Sequence, residues 1–457
     1  VWIDTEQEPR LSMMETVREF AEDQAIAAGE WADLQERHAK WVVEGAELAG
    51  AAYYSPLQTD WARRIELELA NIRSALEWAF AREETAIAST IVANINLFME
   101  HRGYYSEGRE WARRALQMPD IEPRLRIRLL HSIVFLSFRL TDYATGDVAF
   151  QEAVVLAEEI GADDLLAMVL TTMARSPWYR ARGDQTLPMI ERALELHRRH
   201  GNRHGEALST SGLGTIAALR GEYQAAFGFD LKAIEIAREI GIPALTLHLM
   251  ASYAVELAVG DRLEEAEPWF REALQMAIEL RDPTIESSVL HGIALLEGSR
   301  GDHDASFQSF RRVAEINRMT GYRQGYALAL HELGRIEWKR GNLPEAAKHL
   351  HEGIEVFVAD GVDRWTIELI DSAAAILLSA GLAEDAARLV GHADQARVVR
   401  SIGRMLIETK FFEALLVDLA AELGEGERDR LVAEGRLFAD TEARPMVLAL
   451  LKTVSVA

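Results

Sequence analysis

Apolar residues recur every three or four positions along most of this chain, which is the spacing that places them on one face of an α-helix. Between residues 61 and 81, one such face is formed by Ile65, Leu69, Ile72, Leu76 and Ala79. Comparable runs continue from Leu11 almost to the C-terminus. The pattern therefore predicts an all-α protein.

Glycines interrupt these helical runs at a fixed interval of 40 residues. One series is Gly161, Gly201, Gly241, Gly321 and Gly361, with Arg281 in the missing place. A second series, offset by about half a period, is Gly183, Gly221, Gly260, Gly301, Gly341 and Gly381. Helices often end at a residue with left-handed backbone, a conformation that glycine adopts most easily. Two helix ends in every 40 residues predict one helical hairpin per repeat, and therefore a solenoid.

The remaining segments complete the predicted organisation. Residues 1–10 are expected to form a short strand and a turn, as the tail of an upstream module. Residues 11–85 predict a three-helix linker, whose first helix has a Ser12–Glu15 capping box and ends at Gly29. The predicted repeat array covers residues 86–396, with hairpins at 86–118, 124–160, 163–200, 205–240, 244–280, 285–320, 324–360 and 365–396. Residues 397–457 are expected to form a C-terminal helical cap.

The repeats resemble the tetratricopeptide repeat. Leu213-Gly214 and Leu333-Gly334 lie seven residues before Gly221 and Gly341. Small residues also follow most turns by five positions, at Gly108, Gly146, Ala226, Ser306, Ala346 and Ala386. The period of 40 residues exceeds the usual length of about 34, and in this respect the repeats resemble the sensor domain of MalT-like regulators. The resemblance implies a right-handed superhelix of about seven to eight hairpins, whose first helices line a concave groove.

Both ends of the chain extend the resemblance. The segments PRLSMMETVREFA (9–21) and ELELANIRSALEWA (66–79) resemble the region that follows the ATPase and winged-helix modules of bacterial signal-transduction ATPases of the STAND class. LGEGERDRLVAEGRLF (423–438) resembles the C-terminal cap of the same family. The resemblance implies a non-catalytic regulatory arm of a signalling protein or transcriptional regulator, with an ATPase module upstream in the same polypeptide. It also implies that residues 1–10 are the remnant of a winged-helix-like module. Alternatives are a constitutive protein–protein scaffold, or an accessory arm of an upstream enzyme such as a nucleotide cyclase.

Composition narrows the classes of partner. The 457 residues carry a formal net charge of −24, which argues against binding nucleic acid through phosphate neutralisation. There is no cysteine, so disulfides and cysteine-ligated zinc are excluded. The absence of cysteine is compatible with a cytoplasmic protein. No uncharged stretch reaches the roughly 18 residues that a membrane-spanning helix needs.

The sequence contains no recognisable catalytic or cofactor-binding motif. No phosphate-binding G-x-x-x-x-G-K-[ST] loop is present. The glycine-rich stretch 212–217 matches a relaxed dinucleotide-binding fingerprint, but it lies on a predicted helix with no strand before it. His331-Glu332 begins like a zinc-protease motif, but the motif's second metal ligand is replaced by Arg335, which cannot bind metal. His197, His200 and His204 are predicted to lie in a solvated loop between helices rather than to bind metal. We therefore expect no enzyme, no metal and no cofactor.

The predicted groove is richer in cations and aromatic residues than the acidic chain as a whole. The residues expected to line it are Arg128, His131, Phe135, Arg139, Arg180, His291, His331, Arg335, Trp338 and Lys339. Such side chains suit the binding of an acidic peptide, a phosphorylated ligand, an acidic partner segment or a small inducer. The alternative is that the cations pair with neighbouring glutamates and that Trp338 packs between repeats.

Overall fold

A computed structural model describes residues 2–5, 8–11, 13–140, 142–175, 183–260, 262–359, 363–400 and 406–456. Its first element is an antiparallel hairpin of β1 (Trp2–Thr5) and β2 (Glu8–Leu11), in which Asp4 pairs with Pro9. The first strand agrees with the sequence pattern. The second strand corrects it, because the pattern predicted a turn there.

Three helices precede the repeats: α1 (Glu15–Ala28), α2 (Trp31–Ala52) and α3 (Gln58–Ala81). α1 begins with Met14 at its N-cap, and no side chain caps it. Ser12, which was predicted to lead a capping box with Glu15, lies outside the described residues. α1 does end at Gly29, whose φ is 74°.

Eight helical hairpins follow in the described part of the chain. Their helices are α4 (Thr85–His101) and α5 (Tyr105–Leu116), α6 (Pro123–Arg139) and α7 (Tyr143–Glu159), α8 (Asp163–Ala174) and α9 (Gly183–Arg199), α10 (Arg203–Leu219) and α11 (Tyr223–Ile240), α12 (Pro243–Val259) and α13 (Leu263–Leu280), α14 (Pro283–Ser299) and α15 (His303–Thr320), α16 (Arg323–Lys339) and α17 (Leu343–Ala359), α18 (Asp363–Ser379) and α19 (Ala383–Arg400). The chain ends with α20 (Leu406–Leu423), α21 (Glu425–Gly435) and α22 (Asp440–Ser455). The predicted all-α solenoid is confirmed.

Most of the predicted helix ends have the expected left-handed backbone. This group comprises Gly161, Gly201, Gly221, Gly241, Gly301, Gly321, Gly341 and Gly381. Arg281 has a φ of 53° and so adopts the conformation of the glycines that it replaces. Two predictions fail: Gly260 has a φ of −78°, and Gly183 begins a helix rather than ending one. Gly361 lies outside the described residues.

The first helices of successive hairpins are hydrogen-bonded to one another through side chains. Four of these bonds join positions 41 residues apart: His131–Thr172, Thr215–Glu256, His331–Ser372 and Trp338–Ser379. We call the surface formed by these first helices the inner face of the array. No described helix is both long enough and apolar enough to cross a membrane.

Candidate functional site: the inner face

The array curves so strongly that its first hairpin meets its sixth. His101 Nδ1 lies 2.7 Å from the Asp282 carboxylate, and Arg102 donates hydrogen bonds to the backbone oxygens of Leu280 and Arg281 at 2.6 and 2.5 Å. Further contacts of the same kind are Tyr105–Thr284 at 2.6 Å and Tyr143–Gln324 at 3.0 Å. We call this contact, between residues 101–105 and 143 on one side and 280–284 and 324 on the other, the closure seam.

The turn that joins α2 to α3 lies against the inner face. The Tyr53 hydroxyl is 2.8 Å from His101 Nε2, and the Tyr54 ring meets the His204 ring edge-on at 5.0 Å between centroids. The Tyr54 hydroxyl also lies 3.9 Å from Met168 Sδ. This tyrosine turn, residues 53–57, therefore contacts the first helices of hairpins one, three and four, and it fills part of the groove that the sequence predicted to be open.

Three of the predicted binding residues line one cavity beneath the tyrosine turn. Arg128, His131 and Phe135 surround it together with Tyr53 and Tyr54, and it has about 340 Å³ of empty space that is partly open to solvent. We call it the inner-face cavity. Its residues come from α2, the tyrosine turn, α4, α6 and, at Met168, α8. The geometry therefore brings the first helices of three hairpins and the linker together around a single space.

The residues that line the inner-face cavity include one arginine, Arg128, and no acidic residue. Arg128 donates hydrogen bonds to the Ala93 backbone oxygen and Asn94 Oδ1, both at 2.9 Å. Burial lowers the pKa of Arg128, and no carboxylate pairs with it among the described residues. Burial, and then the Arg128 charge, lowers the pKa of His131 to about 3, so its imidazole is neutral at physiological pH. The cavity thus presents one cation bound only by neutral acceptors.

Two other predicted residues lie elsewhere in the packing, and one lies outside the described residues. Arg139 forms an ion pair with Glu100 at 3.0 Å. His291 packs edge-on against Phe310 at 5.2 Å, and burial lowers its pKa. Arg180 lies outside the described residues. Neither Arg139 nor His291 is among the residues that line the inner-face cavity.

The remaining predicted residues lie on α16, where a C-terminal helix contacts two of them. Trp338 meets the Phe411 ring of α20 edge-on at 6.1 Å, and the Arg335 guanidinium carbon lies 5.8 Å from the centroid of the same ring. Arg335 also pairs with Glu332 at 3.4 Å. His331 forms a hydrogen bond with Ser372 of the next repeat, whereas Lys339 is exposed. Pairing of cations with neighbouring glutamates therefore occurs at Arg139 and Arg335, and a binding role for the ten residues stays a prediction.

The sequence interpretation missed the tyrosine turn and misplaced two histidines. His197 is buried and lies 3.0 Å from Thr171 Oγ1, and His204 contacts the tyrosine turn, so neither lies in a solvated loop. The available signal was the pair of adjacent tyrosines before Pro56, because two aromatic rings are unusual in a solvated turn. Among the described residues, no three potential ligand side chains converge on a metal position.

No family model and no curated protein sequence matches this chain. Two solved structures are similar to it at a TM-score of 0.50 and 13% identity. One is a Rap protein complexed with competence and sporulation factor, and the match covers 74% of this chain and 99% of that chain. The other is a STAND protein with a tetratricopeptide repeat sensor from Pyrococcus horikoshii, and the match covers 76% of this chain and 54% of that chain. At this identity the likeness shows the fold alone, which is a tetratricopeptide-like helical-repeat solenoid.

The closure seam is expected to depend on pH through His101. Burial lowers the pKa of His101, but the Asp282 carboxylate and Glu100 raise it more than burial and Arg139 lower it, so the pKa lies above its usual 6.5. The stabilisation of the closure seam by charged His101 is then fully present below pH 6.5, and it is lost as pH rises through the pKa of His101 in the folded protein. We expect the seam to widen over that range.

Asp282→Asn tests this expectation while keeping the helix cap. Asp282 accepts a hydrogen bond from the Ile285 backbone N–H at 3.0 Å, and asparagine caps helices equally well. Because the chain has no cysteine, spin labels at Ser106→Cys and Glu279→Cys report the distance across the seam. We expect a pH-dependent distance in the parent protein and a wider, pH-independent one in Asp282→Asn. Asp302→Asn, which alters another capping aspartate, should behave like the parent. A constant distance in the parent protein would show that His101 does not control the seam.

Proposed function

We propose that this chain is the non-catalytic, ligand- or protein-binding regulatory region of a cytoplasmic, bacterial STAND-type signalling protein or transcriptional regulator. The observation that carries the proposal is Arg128, a half-buried cation on the inner-face cavity whose hydrogen bonds go only to neutral acceptors. The fold supports it, because a Rap protein complexed with competence and sporulation factor and the repeat sensor of a STAND protein share this architecture.

An acidic or phosphorylated peptide is the ligand that best suits the inner-face cavity. A carboxylate or phosphate would form a charge-assisted hydrogen bond with Arg128 in surroundings that are poorly hydrated. Neutral His131 can exchange hydrogen bonds with the peptide backbone, and Phe135 can contact an apolar side chain. Such a ligand would compete with Tyr53 and Tyr54 for the same space.

Displacement of the tyrosine turn would connect binding to signalling. The turn joins α2 to α3, so its movement would change how the linker helices pack on the array. A ligand that binds the displaced arrangement better shifts the population towards it, without any chemical step. The mechanism is therefore regulation by conformational equilibrium.

The surface of α1 supports an upstream module as the recipient of the signal. Met13, Met14, Val17 and Phe20 are all exposed on or beside α1, Phe20 with 65% of its surface. Apolar side chains clustered in this way are typical of a surface that contacts another protein or domain. We expect the coding sequence upstream of Val1 to encode a nucleotide-binding module with a phosphate-binding loop, and a different module there would contradict the STAND assignment.

A displayed peptide library tests the binding function directly. Peptides selected on the full chain should be acidic, and Arg128→Ala should weaken their binding by roughly tenfold or more, the usual loss for a charge-assisted hydrogen bond. The control is Arg113→Ala, because Arg113 is exposed on α5 and pairs with Glu110. The double change Arg335→Glu and Lys339→Glu should abolish binding if the ligand extends along the inner face to α16.

The outcomes separate the alternatives. Binding that survives both Arg128→Ala and the double change would contradict an inner-face site. Binding that is lost in Arg128→Ala, without any increase in hydrogen exchange at residues 53–57 when peptide binds the parent protein, would indicate a passive scaffold rather than a sensor.

A further inference from the structure

Helix α2 carries an apolar stripe along its exposed side. Leu34, Trp41 and Leu48 are spaced seven residues apart, and 40%, 51% and 57% of their surfaces are exposed. Residues at this spacing lie on one side of a helix, as the contact positions of a coiled coil do. His38 and Gly45 lie between them on the same side, and the His38 ring stacks on the Trp41 ring at 6.1 Å between centroids. We call these five residues the α2 stripe. It has the pattern of a helix–helix contact, yet its apolar side chains are exposed.

Gly45 is a second indication that another helix packs on the α2 stripe. Glycine is among the least favourable residues within a helix. A Cβ at Gly45 would meet no atom within 4 Å, and Gly45 is not among the glycines with positive φ. Neither packing within the described residues nor backbone conformation therefore requires glycine here. A glycine on a contact face does let a second helix approach closely, because the distance between packed helices depends on the side chains between them.

The α2 stripe is complementary to itself. When two copies of α2 pack antiparallel and cross at Trp41, Leu34 of each copy meets Leu48 of the other, because both leucines lie seven residues from Trp41. In the same arrangement Gly45 of each copy lies beside His38 of the other, where the imidazole ring needs the room that a side chain at position 45 would fill. Two identical surfaces therefore form one contact with two-fold symmetry.

Charges beside the α2 stripe favour the antiparallel orientation. Arg37 and Glu44 are both exposed on one flank of the stripe. Antiparallel packing centred on Trp41 brings Arg37 of each copy beside Glu44 of the other, so two pairs of opposite charge form. Parallel packing would instead bring these charges towards Val42 and Ala49, which are uncharged and buried in their own copy. Charges at such flanking positions set the orientation of paired helices.

We propose that this chain forms a two-fold symmetric homodimer through the α2 stripe. The two α2 helices are antiparallel and cross at Trp41. Because each copy contributes one helix, the contact is small, and its Kd should be on the order of 10 μM. This inference goes beyond the proposed function, since it assigns a protein partner to the linker and involves neither Arg128 nor the inner-face cavity.

Sedimentation velocity on the full chain, at concentrations from about 1 to 200 μM, measures this Kd. The mass should rise over that range from that of one chain towards that of two. Trp41→Ala removes the central ring from both copies and should raise the Kd by about 30-fold or more, because a tryptophan at the centre of an interface is a typical hot spot. Leu231→Ala, which removes an exposed side chain of α11, should leave the Kd unchanged.

Gly45→Leu separates a specific contact from general hydrophobic association. Leucine has a higher helix propensity than glycine, and a Cβ at this position meets no atom of its own chain within 4 Å. The melting temperature of the dilute, monomeric variant should therefore be at least that of the parent. The new side chain fills the room beside Trp41, so the Kd should rise by roughly tenfold. Tighter association of Gly45→Leu would overturn the proposal.

Disulfide cross-linking tests the orientation of the two helices, because the chain has no cysteine of its own. A mixture of Leu34→Cys and Leu48→Cys chains should form a cross-linked dimer on oxidation. Leu34→Cys alone should not, since two copies of this position lie about 20 Å apart in the antiparallel dimer, beyond the reach of a disulfide. Cross-linking of Leu34→Cys with itself would overturn the proposal. So would a chain that stays monomeric up to 200 μM, and the stripe would then belong to another module. Peptide binding at Arg128 is unaffected by either result.

Discussion

Gly341→Val should lower the melting temperature by a few degrees, with a loss of stability of about 2 kcal/mol or more. Gly341 has a φ of 77°, a region that β-branched residues enter only under strain. A Cβ at this position would meet no atom within 4 Å. The expected loss therefore comes from the backbone of the α16–α17 turn alone, and thermal unfolding followed by circular dichroism measures it.

Gly228→Val is the matched control for this substitution. Gly228 lies within α11, is exposed, and also has no atom within 4 Å of a Cβ. Valine and glycine differ little in helix propensity, so the melting temperature should change only slightly. Equal melting temperatures for the two variants would show that the left-handed turn does not limit the stability of the seventh hairpin.

The hairpins could be predicted from the sequence because each helix end is specified locally. A left-handed residue ends a helix regardless of what lies far along the chain. Arg281 makes the point clearest, since it keeps the left-handed conformation without glycine. Gly260 shows the limit of the rule, because its helix ends with a right-handed φ of −78°.

The closure seam and the tyrosine turn could not be predicted in the same way. His101 and Asp282 are 181 residues apart, and they meet only because small rotations add up over five repeats. No local pattern encodes that sum. For the same reason the sequence could not place Tyr54 beside Arg128, or Phe411 beside Trp338, although it identified Arg128 and Trp338 as residues of the inner face.

Asp230 and Glu256 are acidic residues at two positions of the 40-residue repeat that are mostly apolar, and only the structure shows that both are buried. The eighth residue in the second helix of each hairpin from α7 to α19 is buried. These residues are Phe150, Ile190, Asp230, Phe270, Phe310, Leu350 and Val390. Asp230 is the polar exception. Glu256 takes the place of the aliphatic residues Ile216, Leu296 and Ile336 in the first helices.

Asp230 and Glu256 face each other between the fourth and fifth hairpins. Asp230 is 1% exposed and Glu256 is 7% exposed. A Cβ on Gly214 would come within 2.9 Å of Asp230 Oδ1, so this glycine makes room for the carboxyl group. Thr215 donates a hydrogen bond to Glu256 at 2.7 Å. Burial, followed by the negative charge of Glu256, raises the pKa of Asp230 to about 9. Asp230 is therefore protonated at neutral pH.

Asp230→Asn should stabilise the protein at alkaline pH. Because the pKa of Asp230 rises on folding, Asp230 leaves the stability of the protein intact below pH 3.8, the ordinary pKa of aspartate. Asp230 lowers that stability as the pH rises from there towards about 9. Asparagine resembles the protonated acid in shape and cannot ionise. We expect it to add about 2 kcal/mol at pH 8.5, and almost nothing near pH 4, because each pKa unit corresponds to about 1.4 kcal/mol and a coupled pair relaxes.

The measurement is the difference in melting temperature between Asp230→Asn and the parent chain from pH 4 to 9. Glu235→Gln, on the exposed side of the same helix α11, should give a small difference at every pH. A difference that stays flat across this range would mean that folding does not raise the pKa of Asp230, and would contradict a protonated Asp230 at neutral pH. Since the pair joins the fourth and fifth hairpins, a growing difference would also show that the array is held together there by a shared proton, where the other repeats use apolar packing.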